Sequence, residues 1–169
     1  QCNVGGGVDA RHDRLRDWIR DWLEHVCGLS SAKTEQHVQE WDKWFQATDA
    51  NGAPKYTTED TPDGPKRVPV MAVKMAKLDV SFVDDEGVQG YVDVAYTNAC
   101  SFDAATTLRA ARTPGKAASE REEHKRKRYP PELNPHAALI PFVVEARGRL
   151  GVEVLPFLRQ HAPAEEPRR

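Results

Sequence analysis

"AKLDVSFVDDEGVQGYVDVAYT", residues 76–97, decides the fold. Two runs rich in Val, Phe and Tyr alternate apolar with polar residues, and "DDEG" at 84–87 supplies turn chemistry between them. The stretch therefore predicts a β-hairpin, with strands near 76–83 and 90–97. A turn centred near Glu86 sets residues equally distant from it opposite one another, and Asp79 then faces Asp93. Gly87 and Gly90 are the places where this register can slip. In register, the two carboxylates share one face with Cβ atoms about 4.5–5.5 Å apart, where like charges weaken strand pairing. A shared proton would relieve the repulsion. A divalent cation is the commoner remedy, because hard ions such as Mg²⁺ are held by one or two carboxylates with water and phosphate. Plain hydration is the third reading, if the face also carrying Lys77 and Ser81 looks to solvent.

Working outward, "ALIPFVVEA" at 138–146 is the most apolar run and reads as a buried strand. Leu15, Trp18, Ile19, Trp22, Leu23 and Val26 recur at three- and four-residue spacing, predicting a helix over 9–27 with Asp9 as cap and Gly28 as stop. Val38, Trp41, Trp44 and Phe45 predict a second helix over 31–46, with the four tryptophans packing the two helices together. Pro and Gly punctuate 47–69, which reads as a long loop. Further helices are expected at 104–112, at 116–129 before Pro130 and Pro131, and at 155–160. The resulting expectation is one α/β domain over 1–162, a small mixed sheet with a central hairpin flanked by helices. It comprises a helical pair (8–46), the loop (47–69) and a core (70–162), followed by a flexible tail at 163–169.

Charged residues make up 30% of the 169 and hydrophobic residues 39%, as in ordinary globular domains. No apolar run is long enough to cross a bilayer, so no membrane partner is expected. The start, "QCNVGGGVDARHD", has no apolar signal region and no initiator Met, so the chain reads as an excerpt from a longer protein. Cys2, Cys27 and Cys100 are odd in number and form no CxxC, which points to reduced thiols in an intracellular setting. The net charge of −2 excludes a uniformly basic coat. Positive charge is nevertheless concentrated in "REEHKRKR" at 121–128, either a solvated helix face or a phosphate-contacting one.

That helix carries the second half of the chemistry. Ala118, Glu122, Lys125 and Tyr129 recur at four, three and four residues, so one face presents a small residue, an acid, a base and a phenol. The face is too polar for a core stripe. Set beside the hairpin, it would complete the parts needed to hydrolyse a phosphodiester. A metal between Asp79 and Asp93 would activate water and offset phosphate charge, Lys125 would stabilise the same charge, and Tyr129 would hydrogen-bond nearby.

The pieces "KLD" (77–79), "YVDVA" (91–95) and "KRKRY" (125–129), with "RHD" (11–13) and "IPFVVEARGRLG" (140–151), resemble the restriction-like endonuclease domain of site-specific LINE retrotransposons. That family is a branch of the PD-(D/E)XK nucleases, and the resemblance spans nearly the whole chain although each motif alone is weak. Leu78 stands where the family usually has Pro, and Ala95 where many of these enzymes carry Lys, which makes Lys125 the displaced lysine. The resemblance implies a restriction-endonuclease-like core. It makes Asp79 and Asp93 metal ligands, with the Val94 carbonyl as a third. Glu122 is either a further ligand or an i,i+3 partner of Lys125. Mg²⁺ is the implied cofactor, with Mn²⁺ substituting, and the implied reaction is nicking of duplex DNA to leave a 3′ hydroxyl for target-primed reverse transcription. Nuclear location, a linked reverse transcriptase and an upstream zinc knuckle follow from the same resemblance. Cys2 suits the last ligand of that knuckle, but Cys2 with His12 cannot make a four-ligand site, so no zinc is expected in this chain. Arg11 and His12 contact phosphate or serve the helix start. Arg121, Arg126, Lys127 and Arg128, with Lys55, Lys66 and Arg67, would contact the DNA backbone. A nuclease resembling Holliday junction resolvases, or an inactive DNA-binding or assembly module, would use the same residues differently.

Overall fold

The computed structural model describes residues 5–98, 108 and 112–163. Two compact units are formed, Gln1–Gln36 with Lys77–Arg169, and His37–Ala76. Strands β1 (Lys33–His37), β6 (Lys77–Val83), β7 (Gln89–Thr97) and β8 (Ala137–Glu145) make a four-stranded sheet in the order β1-β6-β7-β8. Helices α1 (Gly5–Asp21), α2 (Lys116–Arg128) and α3 (Val154–His161) accompany it. The architecture is mixed α/β with a mixed sheet, as the alternation of patterns predicts.

The hairpin forms where expected and in the expected register. Val80 pairs with Val92, Ser81 with Tyr91, Phe82 with Gly90 and Val83 with Gln89, each pair symmetric about Glu86. Asp84 closes the turn by accepting from the backbone N–H of Glu86 at 3.0 Å and of Val88 at 2.8 Å, while Gly87 takes φ 79°. Gly90 has a separate reason to be glycine: the buried Phe82 ring lies over it, and an added Cβ would overlap the ring. That ring packs 5.9 Å from Phe157 and 5.2 Å from His161, so an added methyl must displace it against its aromatic neighbours. Gly90→Ala is expected to cost about 1–3 kcal/mol through overpacking. An unchanged urea midpoint would remove this reading of Gly90.

Strand β8 runs parallel to β7, from Gln89↔Ala137 to Thr97↔Glu145. A parallel neighbour needs a crossover, and α2 lies in that connection. Both faces of the sheet are covered. Val80, Phe82, Val92, Val94 and Phe142 meet Ile19 and Leu23 from the α1 end and Val154 and Phe157 of α3. Ala95 and Val143 meet Ala118 of α2 on the other side. Double coverage explains why 138–146 reads as a continuous apolar run, and the edge position of β8 explains why Pro141, which has no N–H to give a further strand, is tolerated there.

Three expectations change. Helix α1 begins at Gly5, so Asp9 is not its cap; it ends in a π-helical turn at Trp22–Val26, stopped by Gly28 (φ 75°) with Leu29 N–H donating to the Leu23 carbonyl at 2.9 Å. No second helix forms over 31–46. That stretch makes β1, a 3₁₀ turn (Gln39–Trp41) and β2 (Lys43–Gln46), which pairs antiparallel with β5 (Met71–Lys74). Thr, His, Val, Trp and Phe supply its pattern, and these residues suit strands as well as helices. Asp42 reinforces the turn by accepting from Ala76 N–H at 2.7 Å and meeting His37 Nε2 at 2.9 Å. The stretch 47–69 is likewise not a loop throughout. It holds a second hairpin, β3 (Tyr56–Thr61) with β4 (Gly64–Pro69), whose exposed strands of Thr, Pro and charged residues lack the apolar alternation that reveals strands. Trp18 and Trp22 stack on each other at 6.2 Å, and Trp22 meets Phe157 edge-on, while Trp41 and Trp44 belong to the other unit. The expected helix at 104–112 lies outside the described residues apart from positions 108 and 112, as does the tail beyond 163.

Candidate active site

The Val94 peptide in β7 is the hub of the polar cluster. Its N–H donates to Asp79 Oδ2 of β6 at 2.7 Å, and its carbonyl accepts from Lys125 Nζ of α2 at 3.3 Å. The same ammonium lies 2.6 Å from Asp93 Oδ2, with both side chains under a tenth exposed. His12, from α1, brings Nε2 to 3.2 Å from Asp79 Oδ2. Residues separated by up to 113 positions in the chain thus converge on one spot. Asp93 is buried rather than hydrated, and so is its facemate Ser81, which removes the solvent-facing reading for Asp93; Asp79 is partly buried and Lys77 is exposed.

Burial makes the charges of this cluster expensive, and the Asp93 carboxyl registers it. Asp93 is pushed up to about 6, first by burial; Lys125 opposes that shift and Asp79 adds to it. Tyr129, also buried, is pushed up to about 12, by burial first and then by the negative charge of Asp93 and, more weakly, of Asp79. At neutral pH its phenol is a proton donor and not a base.

Asp93 Oδ2 has Coulombic cover from Lys125, yet the contact lacks hydrogen-bond alignment, and no aligned donor reaches this buried oxygen. A buried anionic oxygen left in that state is incompletely satisfied. Two carboxylates and a peptide carbonyl are hard oxygen donors of the kind Mg²⁺ takes. One cation, the lysine ammonium, already sits against Asp93 Oδ2 and the Val94 carbonyl. The residues present therefore fit a divalent ion held by Asp79, Asp93 and Val94.

Helix α2 is fixed by carboxylates at its own level. Glu145, which the sequence reading passes over as the end of an apolar run, is buried and accepts from Ala118 N–H at 3.3 Å in the first turn of α2. Glu122 does not join the aspartates: its Oε1 accepts from Glu153 N–H at 3.3 Å, at the start of α3, filling the space that Gly151 leaves by having no Cβ. Burial raises its pKa. Neither the ligand reading nor the Lys125-partner reading of Glu122 describes that contact. Of the basic residues on α2, Arg126 pairs with Glu153 and Lys127 with Glu123, Arg128 lies 5.0 Å from the Tyr129 ring centroid, and Arg121 is exposed. Arg11 is exposed on α1. Among the described residues a separate trio, Asp21, Glu24 and His25, has ligand atoms grouped closely enough for an ion, but such surface acids are common without one.

Compared with known proteins, the chain matches no family model and no curated sequence.

Proposed function

We propose that this domain is a Mg²⁺-dependent DNA endonuclease of the restriction-like kind, nicking duplex DNA to leave a 3′ hydroxyl. The observation that carries the reading is the convergence of Asp79, Asp93, the Val94 carbonyl and Lys125 on one buried spot of the central hairpin. Supporting it are the sheet with a central hairpin, the parallel strand β8 reached through α2, and helices on both faces. A retroelement setting, with a linked reverse transcriptase and an upstream zinc knuckle, belongs to the same proposal.

Asp79, Asp93 and the Val94 carbonyl would hold a divalent ion, which would supply Lewis acidity for activating water and offsetting charge on the scissile phosphate. The chain's own residues do the rest. Asp79 is held between the Val94 N–H and His12, which fixes where its carboxylate points. Lys125 lies against Asp93 and the Val94 carbonyl, and its flexible stem would let the ammonium reach a phosphate bound beside them. Tyr129 keeps its proton and donates.

The test is supercoiled plasmid incubated with the chain. Nicked circles are expected with Mg²⁺ and none with EDTA. Equal product in EDTA, or no product with either Mg²⁺ or Mn²⁺, would sink the proposal. Preferential cutting of four-way junctions over plain duplex would transfer it to the junction-resolving class.

A further inference from the structure

The unit His37–Ala76 carries two β-ribbons that treat their charges differently. In the β3–β4 hairpin Glu59 stands opposite Lys66, and Arg67 lies over the Tyr56 ring, 3.9 Å from its centroid. Each of these cations has a partner within the hairpin. In the β2–β5 ribbon Lys43 stands opposite Lys74, and both are exposed. Directly opposed like charges weaken a strand pairing. Phe45, two residues from Lys43 and therefore on the same face, is 50% exposed, and Trp44 on the other face is 67% exposed.

Opposed lysines beside an exposed ring match a polyanion that also offers flat apolar faces. We propose that the β2–β5 ribbon binds single-stranded DNA, with successive phosphates at Lys43 and Lys74 and an unpaired base stacked on Phe45. The identity of the polymer rests on the nuclease reading. The preference for a single strand comes from the rings: bases in a duplex are already stacked on both sides, whereas unpaired bases gain from an aromatic platform.

Fluorescence anisotropy of a labelled oligothymidylate, titrated with the full chain, tests this. Lys43→Thr with Lys74→Thr is expected to weaken binding at least about tenfold and to lower the slope of log affinity against log salt by about 1.4, the share of two phosphate contacts. Phe45→Ala is expected to weaken the oligothymidylate roughly tenfold and a duplex of equal length far less. The threonine variant should melt no lower than the parent, because it removes a repulsive pair from a ribbon that threonine suits. Parent-like affinity and salt slope in the threonine variant would overturn the proposal, and equal losses on duplex and single strand from Phe45→Ala would overturn the single-strand assignment. Asp93→Asn separates the two readings. Lost nicking with unchanged oligothymidylate binding leaves both standing. A chain that never nicks but loses binding on lysine replacement retains the ribbon and loses the nuclease.

Discussion

Lys125→Met is expected to destabilise the fold by about 2–3 kcal/mol at pH 8, because stranding the buried Asp93 forces it to keep its proton over the two pH units above its value of about 6 in the parent, at about 1.4 kcal/mol each. Methionine fills the lysine stem's volume, so packing contributes little and the loss reports the charge on Asp93. Protonation sets the ceiling: a carboxyl that must take up a proton in the folded state to avoid being buried charged costs about 1.4 kcal/mol per pH unit above its ordinary value. Asp93 is already raised to about 6 with Lys125 present, and losing that opposing cation moves it further up. A raised carboxyl binds its proton more tightly in the folded state, so the stability it confers is complete below the ordinary value of 3.8 and is lost as pH rises through about 6 and above. The difference between parent and variant should therefore shrink to under about 1 kcal/mol at pH 5, where both folded chains hold the proton on Asp93. Urea titrations at the two pH values measure it. A difference that stays constant between pH 5 and pH 8 would show that Lys125 acts by packing. Millimolar Mg²⁺ should raise the variant's melting temperature more than the parent's, since only the parent must first give up its lysine contact.

Asp93→Asn is expected to reduce plasmid nicking by about 10³-fold, the scale of several kcal/mol lost from charge stabilisation at the phosphate. The amide keeps the shape of the side chain but replaces the anionic oxygen that has no aligned donor with a neutral group. Activity alone would not separate a lost ligand from a disturbed site, so Mn²⁺ binding followed by electron paramagnetic resonance is the second readout. The substitution should weaken binding more than tenfold. Protons compete with the ion for Asp93, so binding to the parent chain should strengthen as pH rises through about 6 and level off above it, whereas Asp93→Asn should lose most of that dependence. Parent-like Mn²⁺ affinity in Asp93→Asn would remove this residue from the proposed metal centre.

Much of the site was legible because β-structure has a simple period. Alternation in 76–97 revealed the strands, the acidic turn located their centre, and the symmetry of an antiparallel pair then brought Asp79 toward Asp93. Helical spacing places Lys125 and Tyr129, the residue that caps α2, on one face. The unit His37–Ala76 was not legible, for an equally physical reason. Its strands are short and largely exposed, so no buried face imposes an apolar alternation, and Val38, Trp41 and Trp44 at three-residue intervals suit β-structure as well as a helix.

The sequence by itself determined the hairpin and its register, the flanking helices α1, α2 and α3, and the buried strand β8, because each depends on local propensity and on one repeated face. Only the tertiary structure decided which polar groups meet. It brought His12 to Asp79 and sent Glu122 to the start of α3. It also laid Lys125 across Asp93 and Val94 inside the protein, where a charge needs a partner. Those contacts join segments far apart in the chain, and nothing in residue spacing encodes burial or the direction in which a buried side chain must turn to find its counter-charge.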